Sequence, residues 1–415
     1  MSNDLVNTDL DILFLGGLFP KERENEIVGH FKKYTQNAAN VLQHEIVDGL
    51  ETNCPGSVRV LNALFVGSYP NRYGKLLIKK FSFSHVTGAD DLNIGYLNLI
   101  GLSKLSKYFA LIPHVRRWAS EHEHKKKKVI IAYAATQVFA SLLRYAKKIN
   151  DKIITCMIIP DLPVYMNPER ENSFFYRRIK EIETKQVFRD MSCLDCFVLL
   201  TEHMKDVLCI SVPFVVMEGI ASDHFSTVDG IPKDAKRRTV LYSGALTVKN
   251  GIVDLIEAFK RLPECEYRLV LCGEGDAEDF IKDSAEKDPR IIFKGLLSRN
   301  EVLKLQRSST VLVNPRSNKE EFTKYSFPSK LIEYMSSGTP VITYKLAGIP
   351  HEYFEYLYVV DDKTDALFSK LEEVMIKSEN ELFAMGSKAR DFVLSNKSAV
   401  MQTAKIINMI QKMIG

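Results

Sequence analysis

The chain alternates short, continuous apolar runs with longer amphipathic stretches. Asp11–Gly16, Val129–Tyr133, Ile153–Ile159, Cys196–Leu200 and Val212–Met217 are apolar runs of strand length. Unbroken rather than alternating hydrophobicity marks strands covered on both faces, as in parallel sheets. Between them, the stretch from Ala134 through Ile149 and the charge-rich Phe174–Met191 read as helices. The pattern breaks at 221–238, where Ser, Asp, Gly and Pro lead into the charged run KDAKRR, a composition suited to a linker. It then restarts. Thr239–Ala245 reads as a strand entering a glycine loop, Ile252–Leu262 as a helix, Tyr267–Leu271 and Ile291–Lys294 as strands, and Val302–Arg307 as a helix. Asp365–Met375, Glu379–Leu394 and Ser398–Ile414 read as closing helices. The predicted class is α/β, with two doubly wound parallel sheets in two Rossmann-like domains facing a cleft. Residues 1–220 form the first domain, 221–238 the linker and 239–395 the second domain. Residues 396–415 form a last helix, for which a return to the N-terminal domain is one arrangement.

Composition narrows the class. At 415 residues the chain has room for two or three cores. Its 46% hydrophobic and 26% charged residues are those of an ordinary globular protein, and a net charge of +4 gives no footprint for nucleic acid. Seven cysteines, an odd number at low density, fit a reducing cytoplasm. The polar, acidic opening MSNDLVNTDLD is not a signal peptide, and no apolar run approaches the ~18 residues that a spanning helix needs. No G-x-G-x-x-G follows a strand, so a nicotinamide fingerprint is missing.

The most informative stretch is 314–350, NPRSNKEEFTKYSFPSKLIEYMSSGTPVITYKLAGIP. Val311–Val313 should end a buried strand near Asn314. A polar loop follows, and Pro328 opens a helix where its missing N–H costs nothing. Gly338 should stop that helix in the left-handed region, before a strand at Val341–Tyr344. Ligands of open α/β sheets sit at such carboxyl strand ends. The amides of Phe327, Ser329 and Lys330 at a helix start suit an anion, and Glu333, one turn in, should face the same crevice.

The wording FPSKL-x-EY-M-x-SG-x-PV resembles the donor-binding segment of retaining glycosyltransferases of the GT-B fold, family 4, in their bacterial polysaccharide-biosynthesis branch. The likeness is firm over the C-terminal half and rests mainly on strand order in the N-terminal half. It implies that the C-terminal domain holds a nucleotide-sugar donor, UDP-linked rather than GDP-linked, and that the N-terminal domain holds a glycan or polyprenyl-diphosphate-linked acceptor. Glu333 would accept from the ribose hydroxyls, Gly244 would face the diphosphate, and Leu296 would lie by the base through its backbone. The first loop, Gly16–Gly17, would lie near the diphosphate and acceptor; a tight turn without a ligand remains the alternative. Asp161, delivered after the strand Ile153–Ile159, is either a cleft carboxylate or a turn residue between two prolines. Retention is implied without a general nucleophile.

The chain departs from the family at three places. Tyr325 stands where the family has a glutamate eight positions before the ribose glutamate, so the backbone from Ser326 through Pro328 to Ser329, or Glu320 and Glu321, would take the sugar hydroxyls. Ala245 replaces an arginine, and Asn250 replaces a lysine, with Lys249 one place early. A departing diphosphate needs positive charge, and Arg316 and Lys330 are the expected replacements, as fork and point charge. No Asp-x-Asp stands at a strand end. Asp90–Asp91 and Asp361–Asp362 are adjacent pairs in polar turns, so neither metal nor cofactor is expected.

Between Val58 and Lys128, thirteen basic residues face four acids, a local +9. Phe81, Phe83 and Trp118 interleave with them. Peripheral contact with an anionic membrane and a solvated helix face over core aromatics both fit. His122 and His124 lack further ligands for a metal, and Cys193-x-x-Cys196 lacks a second pair. A sugar-nucleotide epimerase of similar fold, or a catalytically silent binding protein suggested by Tyr325 and Ala245, are the rival functions. The residues do not set the oligomeric state.

Overall fold

Buried Ile, Leu and Val dominate the inner strands of both sheets. The computed structural model describes residues 9–32, 37–121, 126–162, 174–222, 225, 237–263, 266–318, 321–361, 363 and 365–414. Most of the expected linker, with His122, His124, Lys125, Pro163, Lys319, Glu320 and Asp362, lies outside them. Two compact units result, Met1–Glu218 with Ala399–Gly415, and Gly219–Ser398.

The N-terminal unit begins with β1 (Leu10–Gly16), α1 (Glu24–Val28), α2 (Asn37–Asn53) and β2 (Val58–Asn62). The region that periodicity left unassigned holds β3 (Leu77–Ile78), β4 (Phe81–Phe83), β5 (Asp91–Asn93), β6 (Tyr96–Leu97) and α3 (Ser103–Ser120). Then come β7 (Lys127–Tyr133), α4 (Gln137–Ile149), β8 (Ile154–Ile159), α5 (Phe174–Met191), β9 (Cys196–Leu199), α6 (Met204–Val207) and β10 (Phe214–Val216). The large sheet has the order β10-β9-β8-β7-β1-β2-β5-β4, parallel except for β4 against β5. β3 and β6 pair separately and antiparallel. The last strand is shorter than the run Val212–Met217 suggested; Met217 donates its N–H to Leu199 O beyond the ladder.

The C-terminal unit repeats strand and helix: β11 (Thr239–Ser243), α7 (Ile252–Lys260), β12 (Arg268–Cys272), α8 (Glu278–Lys287), β13 (Ile291–Gly295), α9 (Arg299–Ser308) and β14 (Val311–Asn314). It continues through α10 (Ser329–Ser336), β15 (Val341–Tyr344), β16 (Tyr358–Val360), α11 (Ala366–Met375) and α12 (Glu379–Asn396). Its sheet, β13-β12-β11-β14-β15-β16, is parallel throughout. Val240, Leu269, Val311 and Ile342 pack with α7 and α11 on one face, and Leu241, Leu312 and Val341 with α10 and α12 on the other. The final helix, α13 (Ala399–Ile414), belongs to the N-terminal unit. Asn53 Nδ2 donates to Val400 O at 2.9 Å and to Thr403 Oγ1 at 2.8 Å, and Gln402 Nε2 donates to Glu218 at 3.2 Å.

Two residues of the aromatic-basic segment, Trp118 and Lys128, lie in the core. Trp118 is 2% exposed, and its indole N–H donates to Asp11 at 3.0 Å. Lys128 is equally interior: its ammonium lies 3.0 Å from Asp11 Oδ2, donates to Trp118 O and sits 4.6 Å from the indole centre. A buried lysine needs such a partner, so neither residue is available to lipid. Phe81 and Phe83 are half-buried, and the Arg23 guanidinium covers Phe81. Among the described residues no helix is long and apolar enough to cross a membrane.

Candidate functional site

Parallel strands deliver their connections to one sheet edge, and in the C-terminal unit the loops after β11 and β14 meet there. Gly251 closes the first loop at φ 79°, and a Cβ on it would lie 2.2 Å from Pro315 O. Only glycine accepts both the left-handed backbone and that approach. The contact fixes Arg316, the next residue, beside Tyr242 at the end of β11.

Arg316 is half-buried. Its Nη2 donates to Ser326 Oγ at 2.8 Å, and its guanidinium lies 4.4 Å from the Phe322 ring centre. Its buried Nε has no acceptor among the described residues. Burial pulls its pKa below the usual value, and Tyr242 partly opposes this. A planar cation stacked on an aromatic, with donors left over, is suited to a phosphate oxygen.

Glu333 is held from two sides. Gln306 Nε2 donates to its Oε1 at 2.7 Å, and Lys330 Nζ lies 3.2 Å from the same oxygen. Burial pushes the carboxyl up, but Lys330, the Gln306 hydrogen bond and the more distant Arg299 together hold it below its usual range. It stays a carboxylate with a second oxygen that neither donor engages. Gln306 also donates to Ser243 Oγ at 3.1 Å, while Ser243 N–H donates to Tyr334 Oη at 2.8 Å and Tyr334 returns a hydrogen bond to Ser243 O. The end of β11, α9 and α10 are thereby locked together. Helix α9 is itself fixed by a capping box, in which Ser298 and Glu301 satisfy each other's backbone.

The remaining expected residues divide. Pro328 caps α10 and Ser329 opens it at the surface. Ser326 presents its hydroxyl to Arg316, and half-buried Tyr325 ends the 3-10 turn Glu321–Tyr325. Phe327, expected to offer its amide, is 5% exposed, with its ring 5.3 Å from that of Tyr353, so the ring anchors the loop in the core and only the backbone is left for a ligand. Gly244 donates its N–H to Cys272 O at 2.9 Å, and exposed Lys249 lies on the 3-10 turn Val248–Asn250. Leu296, after Gly295 at φ 63°, is 74% exposed, an unusual placement for leucine at a strand end.

The N-terminal unit carries its own set at the carboxyl edge of its sheet. The Gly17 N–H donates to Gln43 Oε1 at 2.7 Å, and a Cβ on Gly17 would lie 1.9 Å from the Phe65 ring. The Gly16–Gly17 turn is therefore shaped by packing, with the Gly17 amide already engaged. Asp161 follows β8, and partial loss of hydration at its carboxyl holds it above the usual range. Tyr133 at the end of β7 is pushed up by burial and then by Asp161. Cys196 of the C-x-x-C pairs in register with Cys156 on β8, while Cys193 is exposed.

Sequence reasoning missed Gln306, Ser243 and Tyr334. The available signal was a glutamine three residues after Leu303 on the inward face of a helix, where an amide must find partners. Among the described residues no group of three or more His, Cys, Asp or Glu side chains is placed to hold a metal ion.

Comparisons agree with this arrangement. Residues 227–392 match the family model Glycosyl transferases group 1. The sucrose-phosphate synthase from Thermosynechococcus elongatus superposes with TM-score 0.62 at 16% identity, over 97% of this chain and 99% of that one. The lipopolysaccharide outer core galactosyltransferase WaaB in its apo form gives 0.62 at 14% identity, over 97% and 99%. A trehalose-6-phosphate protein from E. coli bound with UDP-2-fluoro glucose gives 0.61 at 9% identity, over 96% and 98%. A comparison with curated protein sequences gives no match. Residues 227–392, in the C-terminal unit, thus carry a glycosyl transferases group 1 domain, and the chain has the GT-B fold of these solved structures.

Proposed function

We propose that the enzyme moves a sugar from a UDP-sugar, with retention and without a metal, to a lipid-linked glycan in cell-surface polysaccharide synthesis at the cytoplasmic face of the membrane. One observation carries the donor half of this reading: Glu333 is kept ionised by Lys330 and Gln306 one turn into α10, on the segment that also carries Arg316. An ionised acceptor matches the two vicinal hydroxyls of a ribose. The amides that open α10, with Arg316 and Lys330, would meet the diphosphate and stabilise the charge that grows as it leaves. Gly244 and Lys249 would border the diphosphate, and the exposed Leu296 would cover the base. Asp161, held toward its protonated form, would sit with the acceptor, and Gly16–Gly17 would shape that loop. The UDP preference is supported by the UDP-sugar bound to the E. coli neighbour.

A mass-shift screen tests it, pairing nucleotide sugars with soluble glycans and polyprenyl-diphosphate-linked acceptors. The reading requires a product heavier by one sugar, with UDP released in step. An isomerised donor without transfer would mean an epimerase, and no turnover with any pair would mean a silent binder.

A further inference from the structure

Lys107 is a cation that folding leaves without a counter-charge. It lies in the second turn of α3, half-buried. Its ammonium donates to Leu64 O at 3.0 Å and stands 4.5 Å from the centre of the Tyr96 ring. The Tyr96 hydroxyl donates to the same Leu64 O at 3.0 Å. No carboxylate pairs with Lys107 among the described residues, and loss of hydration lowers its pKa to about 8. Lys104, one turn earlier, is matched by Glu183 at 2.5 Å. A lysine taken out of water is ordinarily paired. An ammonium has three donors, so the carbonyl and the ring face leave one for a ligand.

Its place in the fold suits a ligand. Leu64 follows β2, at the carboxyl edge of the N-terminal sheet, where open α/β sheets bind. The Ala63 N–H donates to Gly16 O at 2.8 Å and the Phe65 N–H to Gly17 O at 2.9 Å, so this loop runs along the Gly16–Gly17 turn. Phe65 is half-buried, with its ring 5.9 Å from that of Phe139 and 6.2 Å from that of Tyr133. A partly open aromatic ring next to a dehydrated cation fits a small ligand with an apolar face and a negative charge. We propose that Phe65 and Lys107 receive an acceptor sugar that carries a carboxylate, the ring under the sugar and the ammonium on the acid. One point charge matches one carboxylate, whereas a diphosphate calls for a guanidinium fork or several cations. The cation has already lost its water, so pairing needs little further dehydration on the protein side. The inference rests on the reading that the N-terminal unit holds the acceptor, and narrows that acceptor to acidic glycans.

Saturation-transfer NMR titrations of the full chain, with UDP saturating, test it. The probes are the methyl glycosides of glucuronate, galacturonate and mannuronate, each beside its neutral hexose counterpart. At least one uronide should bind about tenfold tighter than its neutral partner, the size of a hydrogen bond to a charged group. Lys107→Met should erase that difference, while Phe65→Leu should weaken both members of the pair alike. Trp118 emission and the thermal midpoint report whether each variant is folded. UDP affinity should be unchanged in Lys107→Met. Wild-type protein that prefers no uronide over its neutral partner would overturn the inference, as would a preference that survives Lys107→Met. So would geranyl diphosphate, in place of the uronides, showing the binding that Lys107→Met removes, because the anion would then be the carrier's. A fall in UDP affinity in the folded Lys107→Met variant would give the lysine to the donor instead. Transfer to neutral acceptors alone would sink this inference and leave the transferase reading standing. Uronide binding without UDP binding would do the reverse.

Discussion

Gln306 Nε2 lies 2.7 Å from Glu333 Oε1 and 3.1 Å from Ser243 Oγ, so one buried amide ties the carboxylate of α10 to the end of β11. If that tie positions Glu333, Gln306→Ala should weaken UDP binding by about 1.5 kcal/mol, the lower end for a hydrogen bond to a charged group. Gln306→Glu should weaken it more, because two carboxylates would share the place of one. Calorimetry of UDP binding, run beside thermal melts, decides: a lower melting point with unchanged affinity would make Gln306 a packing residue only.

Glu333→Gln keeps the shape and removes the charge. UDP affinity should fall by roughly 1.5–3 kcal/mol. An affinity equal to wild type would take Glu333 out of the nucleotide site.

Arg316→Ala and Lys330→Ala should lower kcat more than they raise the donor KM, since charge on the diphosphate grows toward the transition state. Arg316→Lys should recover little, because a point charge cannot keep both the Ser326 hydrogen bond and the stack on Phe322. Wild-type turnover in both alanine variants would exclude them as the leaving-group cations. With protein cations in that role, EDTA should leave turnover intact; loss that manganese restores would contradict it.

Lys128→Met should destabilise the N-terminal unit by about 3 kcal/mol, the lower end for a broken buried pair, because it leaves the buried Asp11 carboxylate only Arg59, 4.0 Å away, as a cation. Denaturant melts monitored at Trp118, the only tryptophan, read this directly. A loss below about 1 kcal/mol, the size of a surface pair, would contradict the burial.

His85 gives a pH dependence of defined sign. Burial disfavours its cation, but Asp91 at 2.7 Å and Glu51 at 3.4 Å outweigh that and raise its pKa above the ordinary 6.5. A raised folded value means that the contribution is complete below the unfolded value and disappears as pH rises through the folded one. The thermal midpoint should therefore fall from mildly acidic to mildly alkaline pH, and His85→Asn should flatten that slope. An unchanged slope in the variant would assign it to other groups.

Much of the fold was legible in the order of residues. Continuous apolar runs such as Ile12–Leu15, Val129–Tyr133 and Val311–Val313 can be buried on both faces only as inner parallel strands. Pro328 and Gly338 bound α10 for local reasons, a free first-turn N–H and a left-handed stop at φ 75°. That is why the segment 314–350 could be read at once, with Glu333 and Arg316 in it. What local pattern could not decide was which polar groups find each other. Gln306 and Ser243 lie 63 residues apart, and Lys128 and Asp11 lie 117 apart. Their pairing depends on how sheets and helices stack, not on spacing along the chain. For the same reason Trp118 and Lys128, for which the sequence fits a basic aromatic surface as well as a core, fold inward around Asp11, while Leu105 and Phe109 are left facing water. Hydrophobicity is local to a residue, but burial is assigned only when the whole unit has packed.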